Sequence, residues 1–372
     1  MLHLPNEILF IVFNKLNKVD VLYSLVDITQ RFNQLIFDPF YIHNLNMTSM
    51  TMKSFYDRVY SINNQVLERI CKNILPRIYH KITELIVEQY SMERVLQTIN
   101  YPQLYSLTLM DFSEDVLFNH LTSNTILRKV LFEQITCLKI DVKDEPKQPS
   151  PETLSIMFTL ILSLCKRLIK LSFCQSNDRS TLCTFDLSSS NFNSSILTTL
   201  NIIVETFDDC LYLLDGRFNC LSILIIAVKI ISYTSGTIDN TKKLPKLKHF
   251  SLTSYRHIFL YDDLIIPLLR RMINLEEFIL YLSIIRSNKN YIDGHQLYDD
   301  ILIYMPQLKK FTFNIYTNVD KNVKIALSSN EDIQLSFRRK EYDYGPVASH
   351  IETFTRENQR KCHIHSLPYE FK

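Results

Sequence analysis

Glycine is scarce in this sequence, and its scarcity excludes several kinds of site. The 372 residues contain 4 glycines, Gly216, Gly236, Gly294 and Gly345, where about 7% is usual. Phosphate-cradling loops need several closely spaced glycines, because the backbone must approach the ligand. No two glycines here are closer than 20 positions. A P-loop, a dinucleotide-binding fingerprint, a kinase glycine loop and a Gly-x-Ser-x-Gly nucleophile elbow are therefore excluded.

Paired cysteines, a basic leader and long apolar runs are also absent. The 8 cysteines are scattered without a Cys-x-x-Cys pair, which favours a reduced compartment, cytoplasmic or nuclear. The first residues lack the basic segment of a signal peptide. The longest apolar run, near Leu221–Ile231, contains Lys229 and is far shorter than the roughly 20 residues of a membrane span. With a net charge of +2, we expect neither a nucleic-acid nor a membrane partner.

Side chains that could bind a metal or act in catalysis form no recognisable pattern. The densest cluster is Cys362-His363-x-His365, but zinc needs four tetrahedral ligands and three crowded side chains are a poor start. The acid pairs Asp208-Asp209, Asp262-Asp263 and Asp299-Asp300 fall at expected helix starts or faces, where the helix dipole and solvation explain them. We therefore expect no metal, no cofactor and no enzymatic activity.

Residues 1–40 have the pattern of three short helices. Pro5 suits a first helical turn, and apolar residues follow it at helical spacing. Asp20 is expected to cap a second helix and Thr29 a third, which Asp38-Pro39 would end. Three such helices form a core too small to be stable alone, so we expect this part to dock on a partner.

The string LPNEILFIVFNKLNKVDVLYSLVDITQRFNQLIFD, about a tenth of the chain, resembles an F-box. The matching residues are Leu4-Pro5, Glu7-Ile8-Leu9, Phe13, Leu16, Asp20-Val21-Leu22, Val26, Arg31-Phe32 and Asp38. Many F-boxes end with tryptophan; this chain has none, and Phe40 or Tyr41 would take its place. The resemblance implies that a Skp-type adaptor binds a surface drawn mostly from Leu4, Pro5, Ile8, Leu9, Phe13, Leu16, Leu22 and Leu25. Some of this set must instead hold the helices together.

An apolar-x-x-apolar-x-apolar template recurs through the rest of the chain. Its copies are Ile82/Leu85/Val87, Leu104/Leu107/Leu109, Ile135/Leu138/Ile140, Leu168/Leu171/Phe173, Leu197/Leu200/Ile202, Leu221/Leu224/Ile226, Leu247/Phe250/Leu252, Leu275/Phe278/Leu280 and Leu308/Phe311/Phe313. Three copies share a longer form: PQLYSLTL, PKLKHFSL and PQLKKFTF. With helix-like segments between copies, this region resembles an irregular leucine-rich-repeat solenoid, without the asparagine ladder of regular ones. Each unit would add one short parallel strand and one helix to an α/β stack.

These patterns divide the chain into four predicted parts. An F-box would occupy residues 1–45, a helical linker 46–81, the solenoid 82–337, and a C-terminal cap or tail 338–372. The linker has helical periodicity from Val66 to Leu75 and is expected to stop at Pro76. We expect this helix to pack the F-box onto the first repeat.

The function that follows is a non-catalytic substrate receptor. By resemblance, the F-box would bind a Skp-type adaptor and through it a cullin, and the repeats would bind an unidentified substrate protein for ubiquitin transfer. Tyr90, Tyr255 and Tyr316 are the candidate substrate contacts, because they fall on the expected strand face and tyrosine is favoured at interfaces. An interaction scaffold outside a ligase is the alternative, and a hydrolase hidden in the repeats is a third.

Overall fold

A computed structural model shows an α/β protein made of two compact units, Met1–Ser180 and Thr181–Lys372. The two units are each described by themselves. The structure describes residues 4–49, 51–52, 58–59, 61–143, 151–175, 194–233, 241–287, 289–320, 328–338, 344–354 and 359–369.

Short helices begin the first unit: α1 (Asn6–Lys15), α2 (Lys18–Leu25), α3 (Gln30–Ile36) and α4 (Pro39–Ile42). Thr29 caps α3 as expected, with its side chain accepting a hydrogen bond from the amide of Phe32 at 3.1 Å. One expectation was wrong: Asn17, not Asp20, caps α2, by accepting from the amide of Val19 at 2.8 Å. Helix α3 ends at Ile36, just before Asp38-Pro39 as expected. The same pair also begins a fourth helix, because Asp38 caps it and proline fits its first turn.

The predicted helical linker contains strands as well as helix. Strand β1 (Asn44–Met47) and the short antiparallel pair β2 (Thr51–Met52) and β3 (Arg58–Val59) precede α5 (Asn64–Arg69). A π-helical turn then leads into α6 (Leu75–Ile78). The prediction that the helix stops at Pro76 was wrong. The Leu75 amide bonds to the carbonyl of Ile70 in the wider π pattern, and Pro76, which has no amide hydrogen, falls in the first turn of α6.

A parallel sheet organises the first unit. Its strand order is β1, β4 (Glu84–Glu88), β5 (Ser106–Phe112), β6 (Cys137–Val142) and β7 (Lys170–Gln175). The connecting helices are α7 (Met92–Thr98), α8 (Glu114–Thr122), α9 (Ile126–Glu133) and α10 (Pro151–Leu164). The sheet therefore begins within the predicted F-box and linker, one strand before the first predicted repeat.

The second unit repeats the arrangement and ends differently. Parallel strands β8 (Thr199–Thr206), β9 (Ile223–Ile230), β10 (His249–Ile258), β11 (Glu277–Arg286) and β12 (Lys310–Asp320) follow in order. The main helices are α11 (Phe207–Leu213), α12 (Ile266–Leu269), α13 (Gly294–Asp300) and α14 (Asn330–Ser336). Strands β13 (Val347–Phe354) and β14 (Gln359–Ser366) form an antiparallel hairpin, and β14 pairs antiparallel with β12. The region predicted as a cap is thus a β-hairpin on the last parallel strand.

The template copies set the register of the parallel strands in each unit. In the first unit the middle template residue pairs across neighbouring strands, Leu85 with Leu107, then Leu138, then Leu171. At each junction one carbonyl accepts two successive amides from the next copy; the carbonyl of Thr83, for example, accepts from Tyr105 and Ser106 at 3.0 and 3.2 Å. All template residues are buried except Leu308, which is partly exposed. The apolar template in the sequence and the hydrogen-bond pattern between strands therefore recur at the same positions.

The same junction occurs one step earlier than the sequence analysis placed it. Ile42, Leu45 and Met47 fit the template and are fully buried. The carbonyl of His43 accepts from the amides of Thr83 and Glu84 at 2.9 and 3.0 Å. The parallel array therefore begins directly at the end of α4.

In each unit, helices cover one face of the parallel strands. On the template face, Phe158 of α10 packs edge-to-face on Phe173, and Phe337, just after α14, stacks on Phe313. Alternate residues lie on the other face, called here the open face. Some, such as Tyr281, are partly exposed, whereas Thr312 and Asn314 on β12 are buried. Among the described residues no helix has the length and apolar character that crossing a bilayer requires.

Candidate functional site

Helix α1 has apolar side chains on two opposite sides. Leu9 and Phe13, four residues apart, are fully buried against the other helices. Leu4 precedes the helix and is followed at helical spacing by Ile8 and Ile11, which are 42% and 58% exposed. A helix with a solvated outer side normally carries polar residues there. The outer side of α1 is therefore an exposed apolar surface.

The structure sorts the residues predicted to face an adaptor. Leu9, Phe13 and Leu22 were predicted to contact the adaptor, but they lie in the core. Their burial holds the helices together. Leu4, Pro5, Ile8 and Leu16 are exposed, and Leu25 is partly exposed. Sequence analysis missed Ile11, although its spacing from Leu4 and Ile8 was a usable signal. We define the docking surface as Leu4, Pro5, Ile8, Ile11 and Leu16.

Arg31 of α3 fixes the beginning of this surface. Its Nη2 donates to the carbonyl of Leu4, and its Nε donates to Oδ1 of Asn6 at 2.9 Å. These bonds tie the residues that enter α1 to a second helix. The start of the docking surface is therefore held in one position.

An aromatic cluster supports the docking surface from beneath. Phe13 packs edge-to-face on Phe32 with ring centres 5.9 Å apart and lies 6.1 Å from Tyr41. The Tyr41 hydroxyl donates to the carbonyl of Phe13 at 3.3 Å, and burial raises the pKa of Tyr41 to about 12. Phe40 is 91% exposed. Of the two residues expected to replace the missing tryptophan, Tyr41 is thus the one in the core.

Buried and ionic contacts join these helices to the sheet of the first unit. Lys18 Nζ donates to the carbonyls of Tyr41, at 2.8 Å, and Asn44, and burial lowers the pKa of Lys18. At the other side, Arg77 Nη1 lies 2.9 Å from Oδ1 of Asp27, and hydrogen bonds from Arg77 and Asn33 lower the pKa of Asp27. The helix that contains Pro76 therefore contacts the turn after α2 through an exposed ion pair.

A row of aromatic rings crosses the open face of the second unit. Tyr255 on β10 lies 5.4 Å from Tyr281 on β11, which lies 6.4 Å from Tyr316 on β12, measured between ring centres. Tyr316 stacks on His363 of β14 at 4.0 Å. His365 continues the row at 4.7 Å from His363. We call these rings, together with Tyr369, the aromatic row.

Burial keeps one end of the aromatic row neutral, and hydrogen bonds hold its rings in place. His363 Nε2 donates to Oδ1 of Asn314 at 2.8 Å, and Asn314 Nδ2 donates to the hydroxyl of Tyr369 at 2.7 Å. Burial, and then the neighbouring His365 and His350, lower the pKa of His363 to about 4. At neutral pH this end of the row therefore offers uncharged rings, which suit contacts with protein side chains better than phosphate binding.

The three tyrosines singled out from the sequence do not form one site. Tyr255 and Tyr316 belong to the aromatic row and are joined by Tyr281, which sequence analysis missed. Tyr90 lies in the first unit, in the turn after β4; it is 74% exposed and its amide bonds to Oε2 of Glu88 at 2.7 Å. The register between β10 and β11 shifts between Ser254 and His257, and Tyr255 lies within this shift. An equal distance from the start of each template copy therefore does not place residues side by side on these two strands.

The residues considered for metal binding or catalysis pack in the core, cap helices or form ion pairs. Cys362 points into the core and its sequence neighbour His363 to the open face, because side chains alternate along β14. No cluster of metal-binding side chains occurs in the described part of the chain. Asp209 accepts from the amide of Thr206 at 2.9 Å in a capping box, and Asp262 pairs with Arg286 at 2.8 Å.

Known proteins add no further identification. No protein-family model matches the chain, and the comparison with curated proteins found no match.

Proposed function

We propose that this chain is the substrate-recognition subunit of an SCF-type (Skp adaptor–cullin–F-box) ubiquitin ligase. The helices at residues 6–42 would be an F-box that binds the Skp-type adaptor through the docking surface. The repeats would be an irregular leucine-rich-repeat solenoid that binds the substrate protein. The observation that carries the proposal is α1, which keeps Ile8 and Ile11 exposed while Leu9 and Phe13 form the core.

The contribution to ubiquitin transfer would be proximity. A receptor that holds a target protein beside a charged conjugating enzyme raises the effective concentration of the target lysine. The contact between the helices and β1 through Lys18, which donates to the carbonyls of Tyr41 and Asn44, supports this role, because a fixed geometry would preserve that proximity. Catalysis would reside in the partner enzymes.

The aromatic row is the surface that we assign to the substrate. Tyrosine supplies a large contact area at a low entropic cost and is enriched in interfaces. Tyr255 is exposed, and Tyr281 and Tyr316 are partly exposed on the open face. We expect Tyr255→Ala/Tyr281→Ala to lose the proteins that the wild type captures, while adaptor binding is retained.

Adaptor binding is the first test. We expect the full-length protein to bind the purified Skp-type adaptor in a calorimetric titration. Ile8→Asp/Ile11→Asp should lower the affinity at least about 30-fold, because two buried isoleucines contribute about 2–4 kcal/mol. Far-UV circular dichroism should not change, since both side chains are exposed.

A matched control carries the same substitutions on another exposed apolar pair. Ile303 and Leu335 are 54% and 55% exposed, so Ile303→Asp/Leu335→Asp should bind the adaptor as the wild type does. Failure of a folded wild type to bind the adaptor, or full binding by the Ile8/Ile11 variant, would disprove the F-box assignment. If the adaptor binds but the half-life of a captured protein does not depend on Ile8 and Ile11, the chain is a scaffold outside a ligase.

A further inference from the structure

A cavity of about 460 Å³ opens in the second unit, between the end of α11, the turn before β9 and the segment before β10. Its apolar lining consists of Leu213, Leu214, Phe218, Leu221, Leu244 and Leu247. A volume of this size falls within the range of ordinary ligand pockets, roughly 300–1,000 Å³. The cavity can therefore accept one or two bulky apolar side chains.

Three lysines border the cavity: Lys242, Lys243 and Lys246. Among the described residues, none that lines the cavity is acidic, and none of the three lysines forms an ion pair. Lys243 Nζ donates to the carbonyl of Arg270 at 3.1 Å, which leaves its charge uncompensated. The border is therefore complementary to several negative charges around an apolar group.

A buried arginine holds the two walls of the cavity together. Arg271 is 2% exposed; its Nη2 donates to the carbonyl of Leu214 at 2.9 Å and its Nε to the carbonyl of Lys242 at 2.7 Å. The carbonyl of Arg271 in turn accepts from the amide of Leu244 at 2.8 Å. Both walls are thus fixed before any ligand arrives, which lowers the entropic cost of binding.

We propose that this cavity binds an acidic peptide segment with a bulky apolar residue at its centre. Three lysines within five residues can pair with more than one anionic group. A small molecule with a single acid group offers only one, whereas a peptide segment with several carboxylates offers enough. This inference deepens the proposed function. It rests on that function because it takes the ligand to be a segment of the substrate protein. It adds a charge preference to the substrate that the repeats would bind.

The test is fluorescence anisotropy with the full-length protein and a labelled hexapeptide. The probe has a central leucine–phenylalanine pair with two aspartates on each side. We expect saturable binding that weakens as salt is added. Replacing the aspartates by asparagine, or the leucine and phenylalanine by serine, should weaken binding about tenfold or more.

Charge-reversed variants locate the site. Lys242→Glu/Lys246→Glu should lose about tenfold or more in affinity. The matched control Lys139→Glu/Lys166→Glu, two exposed lysines of the first unit, should bind as the wild type does. Thermal unfolding of both variants verifies that they are folded.

Four results would overturn the inference. These are no binding of the probe, equal binding of the asparagine peptide, unchanged binding by Lys242→Glu/Lys246→Glu, and binding of decanoate in place of the peptide. Adaptor titration uses a different surface in the first unit. Loss of adaptor binding with peptide binding retained would therefore refute the F-box assignment and leave the cavity assignment standing, and the reverse result would do the opposite.

Discussion

Gly294 is the position where a single methyl group should do most damage. It is the first residue of α13, and its amide donates to Oγ of Ser336 at 2.7 Å. Its carbonyl accepts from the hydroxyl of Tyr344 at 2.5 Å. A Cβ added at Gly294 would lie 2.6 Å from the carbonyl oxygen of Ser336 and 2.9 Å from Cα of Phe337. These atoms are backbone, so no side-chain rotation can relieve the clash.

The expected cost of Gly294→Ala follows from these distances. Reaching an ordinary contact distance moves the two helix ends apart by roughly 0.9 Å, and overpacking of this kind costs about 1–3 kcal/mol. The same movement weakens the bonds to Ser336 and Tyr344, each with a net contribution of about 1 kcal/mol. We therefore expect the free energy of unfolding to fall by about 2–4 kcal/mol. An unconstrained Gly→Ala change in a helix would raise it by up to about 1 kcal/mol.

Urea unfolding followed by far-UV circular dichroism measures this difference. Gln334→Ala is the matched control, because Gln334 is exposed on the facing helix α14 and its change should stay within about 0.5 kcal/mol. If Gly294→Ala unfolds at the wild-type urea concentration or above it, the contact between α13 and α14 is looser than described and the reasoning fails.

Two further predictions concern the aromatic residues. Tyr41→Ala should lower the free energy of unfolding by about 3–5 kcal/mol, because its ring is buried beside Phe13, whereas Phe40→Ser should change it by less than about 0.5 kcal/mol; equal thermal shifts in the two variants would contradict this. His363 has a folded-state pKa of about 4 against an ordinary 6.5, so its stabilising effect is complete above pH 6.5 and is lost as the pH falls from 6.5 through about 4. His363→Gln should therefore flatten the decline of the urea midpoint between pH 7 and 4.5. If the wild type and the variant give parallel curves of urea midpoint against pH, the pKa of His363 is not lowered in this way.

The strands were predictable because one template sets both burial and register. Apolar residues at the first, fourth and sixth positions of each copy pack in the core, and their middle members pair across the sheet. The copy at Ile42, Leu45 and Met47 carried the same signal. It was missed because 40 residues separate it from Ile82, more than any spacing among the other copies, and because it overlaps the F-box-like segment.

The surfaces were less predictable, for two physical reasons. Helix α1 is apolar on both sides, so periodicity alone does not decide whether Ile8 or Leu9 faces the core. The aromatic row depends on Tyr281, which lies 5.4 Å from Tyr255 at the point where the register of β10 shifts. Such a shift follows from packing with neighbouring strands, and a single strand sequence does not encode it. The cavity beside Arg271 likewise depends on contacts between segments far apart in sequence.

The antiparallel hairpin at the end of the second unit limits how this protein could have grown. Each parallel repeat offers the next one a carbonyl that accepts two successive amides, as Glu276 does for Lys309 and Lys310. Strand β14 runs in the opposite direction along β12, so that junction has no successor there. A further parallel repeat could therefore not be added after β12 unless it displaced β14.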